Sequence, residues 1–192
     1  MLKFAARTDK GLIREINEDN YEIVTGMDGM PAAFIIADGM GGHNAGEVAS
    51  KAAVDFLSGK INSVVEQAAD DEEVSGRLKD LLQEANEAVL GKSLERPSNS
   101  GMGTTLTAAV LYEGKMFIGH AGDSRAYIIR DGKIDRITTD HSYIEELIKN
   151  GSITREEALN HPKKHVITKA LGCMDNLEAD TDRKSTRLNS SH

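Results

Sequence analysis

The chain has 192 residues, of which 39% are hydrophobic and 28% charged, proportions typical of a folded soluble domain rather than a disordered segment. Its formal net charge of −8 argues against a nucleic-acid-binding protein, because contact with phosphates requires a basic surface. No apolar run approaches the roughly 20 residues that span a bilayer, the polar N-terminus does not resemble a signal peptide, and the single cysteine excludes an internal disulfide. We therefore expect a cytoplasmic, monomeric protein with no nucleic-acid or membrane partner.

The first half of the chain predicts two short strands followed by two long helices. Residues 21–24 and 32–37 are the predicted strands, and the second is nearly all apolar, as in a strand buried on both faces. Apolar residues then recur at helical spacing over 45–69 and again over 72–90. The polar stretch 95–101 breaks this pattern and is predicted to be a loop.

A β-rich block follows, in which two pairs of apolar segments are joined by two-residue turns. The segments are 104–112, 115–121, 125–130 and 133–138. The turns Glu113-Gly114 and Asp131-Gly132 suit hairpins, since aspartate and glycine in particular tolerate positive φ. Two successive hairpins predict antiparallel sheet rather than a doubly wound parallel one.

The remainder of the chain predicts two short helices and one more strand. Ser142 with Glu145, and Thr154 with Glu157, each match a capping box, and Gly151 separates the two helices. We predict that residues 166–171 form a strand.

The last ten residues, 183–192, differ in character from the rest. They are basic, rich in serine and lack an amphipathic period. This composition is more typical of a fused linker or an adapter-derived sequence than of a protein terminus, and a native disordered tail is the alternative. We therefore expect one domain over residues 1–182 and a non-native tail over 183–192, which is left out of the prediction of the fold.

Acidic side chains lie at the ends of predicted strands in three short segments, 14–20, 38–47 and 121–125. In the second, Asp38 ends an apolar strand and Gly39 follows, so a backbone carbonyl can approach a ligand without a side chain in the way. Carboxylate and carbonyl oxygens suit Mg²⁺ or Mn²⁺ better than zinc. The alternative is a glycine-rich turn in which Asp38 caps the next helix.

The other two segments also have simpler interpretations when each is taken alone. Arg14, Glu18 and Asp19 match a charged surface loop, and Asp123 matches a turn aspartate that bonds its own backbone. Together the three segments place acidic groups at several strand ends. Arg14 adds a guanidinium that can clamp a phosphate with two hydrogen bonds.

Five motifs then occur in an order that resembles the bacterial branch of the metal-dependent protein phosphatase (PPM, type 2C) family. They are R-x-x-N-E-D from Arg14, D-G-M-G-G-H-x-x-G-E from Asp38, G-T-T from Gly103, A-G-D-S-R from Ala121 and D-H-S from Asp140. One such motif is weak support, whereas five in the family's order are strong support.

The resemblance implies an α+β fold, a four-layer α-β-β-α sandwich with two central antiparallel sheets that is incomplete at the C-terminus here. It implies two Mn²⁺ or Mg²⁺ ions at one edge of the sandwich and a third, more loosely bound ion. The segment 142–165 resembles the mobile flap found beside that site in the family.

The same resemblance assigns roles to single residues. Asp38 would bridge the two metal ions and Gly39 would offer its carbonyl oxygen to one of them. Glu18 and Asp19 would hold water around the metals, and Asp123 would help to bind the third ion.

The reaction that the resemblance implies is hydrolysis of phosphoserine and phosphothreonine in proteins, the products of a Ser/Thr kinase. Two cations would activate the attacking water, and Arg14 would bind the substrate phosphate. Cys173 lacks the Cys-x₅-Arg loop of cysteine phosphatases and is not expected to be a nucleophile. The alternative functions are a catalytically inactive module that binds phosphoproteins, and a phosphatase specific for one regulatory protein.

The sequence departs from the family pattern in two places. Met40 stands where many eukaryotic relatives have a histidine that protonates the leaving group, and a thioether cannot donate a proton. His43 is expected to cap or to bond locally, so the leaving-group acid is unassigned. The family's metal centre also uses two aspartates from late strands, in S-D-G-like and D-N-like turns. Neither turn is identified here, since no Ser-Asp-Gly follows Gly172 and Asp175, which precedes Asn176, lies in the segment that normally leads toward those strands.

The pattern is lost near Asp182, and we expect roughly 50–60 further residues in a complete domain of this class. We therefore expect the chain 1–192 to bind metal weakly and to show little activity.

Overall fold

The computed structural model describes residues 3–26, 31–41 and 45–185 and has an α+β fold, as predicted. The elements in chain order are β1 (Asp19–Thr25), β2 (Pro31–Met40), α1 (Ala45–Glu66), α2 (Asp71–Glu95), a 3₁₀ turn (Pro97–Asn99), β3 (Gly103–Thr104), β4 (Leu106–Tyr112), β5 (Lys115–Ala121), β6 (Tyr127–Arg130), β7 (Lys133–Arg136), α3 (Tyr143–Lys149), α4 (Arg155–Ala158) and β8 (Asp180–Ser185). Among the described residues, none of the helices combines the length and the apolar character needed to cross a membrane.

The main sheet is antiparallel throughout, which confirms the prediction from the hairpin turns. Its strand order is β1-β2-β4-β5-β8, and β3 pairs with the end of β2. A second, two-stranded sheet consists of β6 and β7. Both hairpin turns have positive φ at each central residue: 49° and 70° at Glu113 and Gly114, and 52° and 73° at Asp131 and Gly132.

Helices α1 and α2 cover one face of the main sheet. α1 packs against β1 and β2, and α2 packs against β5 and β8. At the crossing of α2 over β5, a Cβ on Gly119 would lie 3.0 Å from side-chain atoms of Leu78 and Leu82, so the helix contacts the strand backbone closely. The hydrophobic core fills this layer and includes Ile35, Leu57 and Phe117.

The opposite face of the sheet is more open. Side chains alternate along β2, so Ile35 is 1% exposed on the helix side whereas Ile36 is 42% exposed on the other. The N-terminal segment crosses part of this open face, where the ring of Phe4 contacts Phe34 edge-on at 6.4 Å between centroids. Asp38, the acidic residue near the end of β2, points to this side and is accessible to solvent.

Several elements differ from the sequence predictions, mostly by a few residues at their ends. α2 continues to Glu95, five residues beyond the prediction. It stops there because Arg96 precedes a proline and is extended (φ −142°, ψ 139°). The hairpin strands β6 and β7 are shorter than predicted. Residues 166–171 do not form a strand: Ile167 and Leu171 make only isolated bridges to Ser142 and Thr104.

The predicted flap segment contains both short helices. Ser142 caps α3 by accepting a hydrogen bond from the Glu145 N–H at 3.2 Å, and Thr154 with Glu157 forms a complete capping box on α4. Both ends of the segment meet at its base, where Tyr143 N–H donates to the Val166 carbonyl at 2.9 Å.

Strand β8 extends through Ser185, three residues past the predicted domain end at 182. Arg183 in this extension forms an ion pair with Asp71 at 2.6 Å. Residues 186–192 lie outside the described part of the chain, and the non-native origin of 183–192 stays a prediction.

Candidate metal and phosphate site

Asp38 lies near the end of β2, on the open face of the main sheet. It is exposed, whereas its neighbours Ala37 and Gly39 are buried, as expected from the alternation of side chains along a strand. Asp19 of β1 is directly opposite Asp38 in the antiparallel register. Because side chains of opposed residues project to the same face about 5 Å apart, the two carboxylates meet at this end of the sheet.

The backbone of Asp38 is held on both sides by the two threonines of the G-T-T motif. Asp38 N–H donates to Thr105 Oγ1 at 2.9 Å, and the Asp38 carbonyl accepts from Thr105 N–H at 2.9 Å and from Thr104 Oγ1 at 3.0 Å. Thr105 Oγ1 also lies 2.7 Å from Ser124 Oγ, beside Asp123. The sequence interpretation gave these threonines no role, although the G-T-T motif drew attention to their positions.

The electrostatics of Asp38 reflect this crowding of carboxylates. Desolvation, then repulsion from Asp19 and Asp123, raises the pKa of Asp38 from 3.8 to about 6, against a smaller lowering effect of Arg14. The negative charge at this end of the sheet is therefore not fully compensated by the protein itself.

Gly39 and Gly46 bring the N-terminus of α1 against β2 and against Glu18. A Cβ on Gly39 would overlap the Gly46 carbonyl and lie 2.7 Å from the Glu18 carbonyl oxygen, and a Cβ on Gly46 would overlap the Glu18 carboxylate. The Glu18 carbonyl accepts hydrogen bonds from Gly39 N–H at 3.1 Å and from Ser50 Oγ at 2.5 Å. Glycine is thus required at position 39 for close backbone packing, whereas the predicted approach of its carbonyl to a metal stays a prediction.

Arg14 is anchored beside this cluster. Its Nη1 donates to Glu18 Oε2 at 2.8 Å, while its side chain remains 71% exposed. The positive charge of the guanidinium also acts to lower the pKa of Asp38, so Arg14 is close enough to interact electrostatically with that carboxylate. Its position fits the predicted contact with a phosphate group.

The A-G-D-S-R loop carries Asp123 toward Asp38. Gly122 has a φ of 111°, which favours glycine, and a Cβ there would contact Thr105, 3.1 Å from its Cα. After the loop, Arg125 binds Asp140 through Nε at 3.0 and 3.1 Å and through Nη2 at 2.5 Å. The loop is therefore fixed at both ends.

The five predicted site residues with charged side chains thus lie at one end of the main sheet. They are Arg14, Glu18, Asp19, Asp38 and Asp123. Of the two residues considered for the leaving-group acid, Met40 is half-buried in β2 and His43 lies outside the described residues. Desolvation raises the pKa of the Cys173 thiol, which agrees with its predicted lack of a nucleophilic role.

The donor chemistry of this cluster fits a hard divalent cation. Asp19, Asp38 and Asp123 offer only oxygen ligands, and their mutual repulsion would be relieved by a bound cation. Within residues 3–26, 31–41 and 45–185, however, no three His, Cys, Asp or Glu side chains are close enough to hold an ion by themselves. Metal binding by these carboxylates would therefore need further ligands, and it stays a prediction.

A cleft of about 500 Å³ begins at these carboxylates and continues along the open face of the sheet. Asp19, Asp38 and Ser124 line one end, and the rings of Tyr21 and Phe34 line the apolar part. The site is thus reachable from solvent.

His120 in β5 is a buried titratable group that the sequence interpretation missed. It is 1% exposed, with Nδ1 2.9 Å from Thr107 Oγ1 and Nε2 3.1 Å from the Thr139 carbonyl. Because a carbonyl only accepts, Nε2 carries the proton of a neutral ring. Desolvation, then the nearby His141, lowers the pKa of His120 to about 4.

Acid is therefore expected to destabilise the fold through His120. Between pH 6.5 and 4 the unfolded histidine is protonated and the folded one is not, so the free energy of unfolding falls as the pH is lowered. We expect a loss of about 2 kcal/mol between pH 7 and 4.5 relative to His120→Gln, which keeps a donor toward Thr139. Urea denaturation of the wild type and His120→Gln at a series of pH values measures this difference. Asp38, whose raised pKa makes the folded state more stable at low pH, contributes equally to both proteins and cancels in the comparison. Parallel pH profiles would contradict it.

Comparison with known proteins identifies relatives over nearly the whole chain. The sequence model of the protein phosphatase 2C family matches residues 14–176. The serine/threonine phosphatase stp of Listeria monocytogenes is 40% identical over 175 residues, covering 91% of this chain and 69% of the relative.

Solved structures agree with this result. The crystal structure of the serine/threonine phosphatase Stp1 from Staphylococcus aureus is 35% identical with a TM-score of 0.84, covering 95% of this chain and 70% of that one. The catalytic domain of the serine/threonine protein phosphatase PstP, solved with two manganese ions, is 34% identical with a TM-score of 0.76, covering 95% and 72%. These similarities confirm the predicted fold class and the resemblance to bacterial phosphatases. The chain belongs to the protein phosphatase 2C family.

Proposed function

We propose that the chain is a Mn²⁺- or Mg²⁺-dependent phosphatase that removes phosphate from phosphoserine and phosphothreonine in proteins. The observation that carries the proposal is the meeting of Asp19, Asp38 and Asp123 with Arg14 at one accessible end of the sheet. The family membership and the metal-containing relative support it.

We assign the residues of the site to metal binding and to water binding. Asp38, the Gly39 carbonyl and Asp123 would hold divalent cations, which supply an activated water at neutral pH. Glu18 and Asp19 would accept hydrogen bonds from water at the rim of the site. Met40 cannot donate a proton, so the acid that protonates the leaving group is unassigned.

Arg14 would bind the phosphoryl oxygens of the substrate. Its guanidinium is oriented by Glu18 and faces solvent, so an incoming phosphate meets a positive charge with several N–H donors already in place. This arrangement favours phosphate esters over neutral esters as substrates.

The decisive experiment measures phosphate release from a phosphothreonine peptide, with Mn²⁺ and with a chelator, in the protein expressed from its native reading frame. Metal-dependent turnover supports the proposal. Binding of the peptide without turnover would favour the alternative, a phosphoprotein-binding module. The predicted S-D-G-like and D-N-like turns beyond Asp182 are checked in the same reading frame.

In that protein, Arg14→Ala is expected to lower kcat/KM for the phosphopeptide about 100-fold, because a charge-assisted contact to the reacting phosphate is lost. Arg14→Lys should recover part of the loss, since it keeps the charge but not the paired donors. Arg96→Ala, an exposed arginine after α2, is the control and should leave kcat/KM unchanged. Equal rates for Arg14→Ala and the control would remove Arg14 from the reaction.

For the chain 1–192 alone, we propose low activity because neither of the family's two late-strand turns with a metal-binding aspartate is identified after Gly172. We further propose a cytoplasmic monomer whose substrates are phosphoproteins made by a Ser/Thr kinase. Hydrolysis of p-nitrophenyl phosphate by the chain 1–192 with Mn²⁺, at the rates of ordinary enzymes, would contradict the first of these proposals.

A further inference from the structure

His141, at the base of the predicted flap, makes four polar contacts although its side chain is only 8% exposed. Its N–H donates to the Gly122 carbonyl at 2.8 Å, and its carbonyl accepts from Thr168 N–H at 2.8 Å. Its ring Nδ1 accepts from Gly122 N–H at 3.1 Å, and Nε2 lies 3.1 Å from Asp180 Oδ2. The residue therefore contacts the A-G-D-S-R loop twice, once through backbone and once through its ring.

The two contacts to Gly122 form a reciprocal pair on the residue that precedes Asp123. On its other side Gly122 lies against Thr105, whose backbone holds Asp38. The loop thus lies between Thr105 and His141. Because Gly122 has a φ of 111° and glycine is the most flexible residue, its conformation depends on such external contacts.

We propose that His141 is a positioning residue for Asp123: its ring Nδ1 holds the Gly122 peptide and thereby fixes the Asp123 carboxylate relative to Asp38. This inference rests on the proposed function in assigning Asp123 to metal binding. The hydrogen bond itself can be tested without metal or activity.

The ring chemistry agrees with this role. Since a backbone N–H can only donate, Nδ1 must be unprotonated, and the proton of the neutral ring lies on Nε2. That nitrogen is 3.1 Å from Asp180 Oδ2, although the angle does not fit a hydrogen bond. Burial lowers the pKa of His141, which keeps the ring neutral at pH 7, while Asp180 and Asp140 act in the opposite sense. The ring stacks on His120 at 5.0 Å between centroids, which limits its rotation.

Two substitutions separate this role from simple packing. In His141→Asn, the side-chain oxygen can take the place of Nδ1 and accept from Gly122. In His141→Gln, the amide lies near the position of Nε2 instead, so the bond to Gly122 is lost although a polar side chain of similar size remains.

Hydrogen exchange of single amides in the chain 1–192 is the first measurement. We expect the Gly122 amide to exchange about tenfold faster in His141→Gln than in the wild type, as for one lost hydrogen bond, and to stay protected in His141→Asn. The Thr168 amide, bonded to the backbone of His141, is the internal control and should be unchanged in both. Equal protection of Gly122 in wild type and His141→Gln would overturn the proposal.

A second measurement does not require any variant to fold. A scalar coupling across the Gly122 N–H···Nδ1 bond, and an unprotonated Nδ1 resonance for His141, are expected in the wild-type chain. A protonated Nδ1 without coupling at pH 7 would also overturn the proposal.

In the protein from the native reading frame, His141→Gln should require about tenfold more Mn²⁺ for half-maximal activity, with kcat at saturating Mn²⁺ within about twofold of wild type. His141→Asn should restore the metal requirement. If Gly122 exchanges faster in His141→Gln but the Mn²⁺ requirement is unchanged, the hydrogen bond exists and the proposed role of His141 in positioning Asp123 is refuted. Absence of phosphatase activity in the wild type would instead refute the proposed function.

Discussion

Replacing Gly39 with alanine is expected to destabilise the protein by about 3 kcal/mol. The added Cβ would overlap the backbone carbonyl of Gly46 and lie 2.7 Å from the Glu18 carbonyl oxygen. These are main-chain atoms of β2's neighbours, so no side-chain rotation relieves the overlap, and α1 must move away from the sheet. The free energy of unfolding in urea measures the effect.

Gly59→Ala is the matched control, because it places the same methyl group in the interior of α1. A Cβ at Gly59 meets no atom within 4 Å, so only helix propensity changes, and a stabilisation of about 1 kcal/mol is expected. The two alanine variants should therefore shift the unfolding transition in opposite directions. A Gly39→Ala protein as stable as the wild type would show that α1 does not pack on β2 as described.

Asp38→Asn is expected to stabilise the metal-free chain above pH 7. The folded pKa of about 6 exceeds the ordinary value of 3.8, so the folded state takes up a proton more readily than the unfolded state. The contribution of Asp38 to stability is therefore present below pH 3.8 and is lost as the pH rises through about 6. Asparagine carries no charge, and we expect a gain of about 1 kcal/mol at pH 8, with allowance for solvent screening of an exposed carboxylate.

The same variant should respond differently to metal. Mn²⁺ that binds the folded state raises the melting temperature of the wild type, whereas Asp38→Asn should show little response. Denaturation with a chelator at pH 8 and pH 4, and melting with increasing Mn²⁺, measure the two effects. Asp175→Asn, a surface aspartate beside α2, is the control. A loss of stability in Asp38→Asn at pH 8 without metal would show that the carboxylate is compensated in some other way.

Most local structure could be predicted from the sequence because its causes are local. The apolar spacing of α1 and α2 marks the faces that they bury, and Asp-Gly and Glu-Gly mark turns with positive φ. The prediction of a strand over 166–171 was wrong because a local apolar pattern does not supply a partner strand. Only Ile167 and Leu171 make bridges, to Ser142 and Thr104.

The residues of the site could be named from their motifs, but not the contacts that hold them. The motifs pointed to Asp38 and Asp123. The hydrogen bonds between the Asp38 backbone and the hydroxyls of Thr104 and Thr105, by contrast, follow from the pairing of β2 with a segment that lies far along the chain. The structure adds a reason for glycine at position 39 that the motif did not give, the close packing of Gly46 against the strand.

The sequence by itself determined the helix and hairpin periods, the antiparallel character of the sheet and the set of acidic residues and arginine that identify the family. Only the tertiary structure decided that Asp19 faces Asp38, that β8 pairs with β5, and that His141 bonds Gly122. Helix and strand propensity, turn residues and helix caps each depend on only a few neighbouring residues, so they can be read from a short segment of sequence. The register of distant strands depends on the packing of the whole core, which no short segment contains.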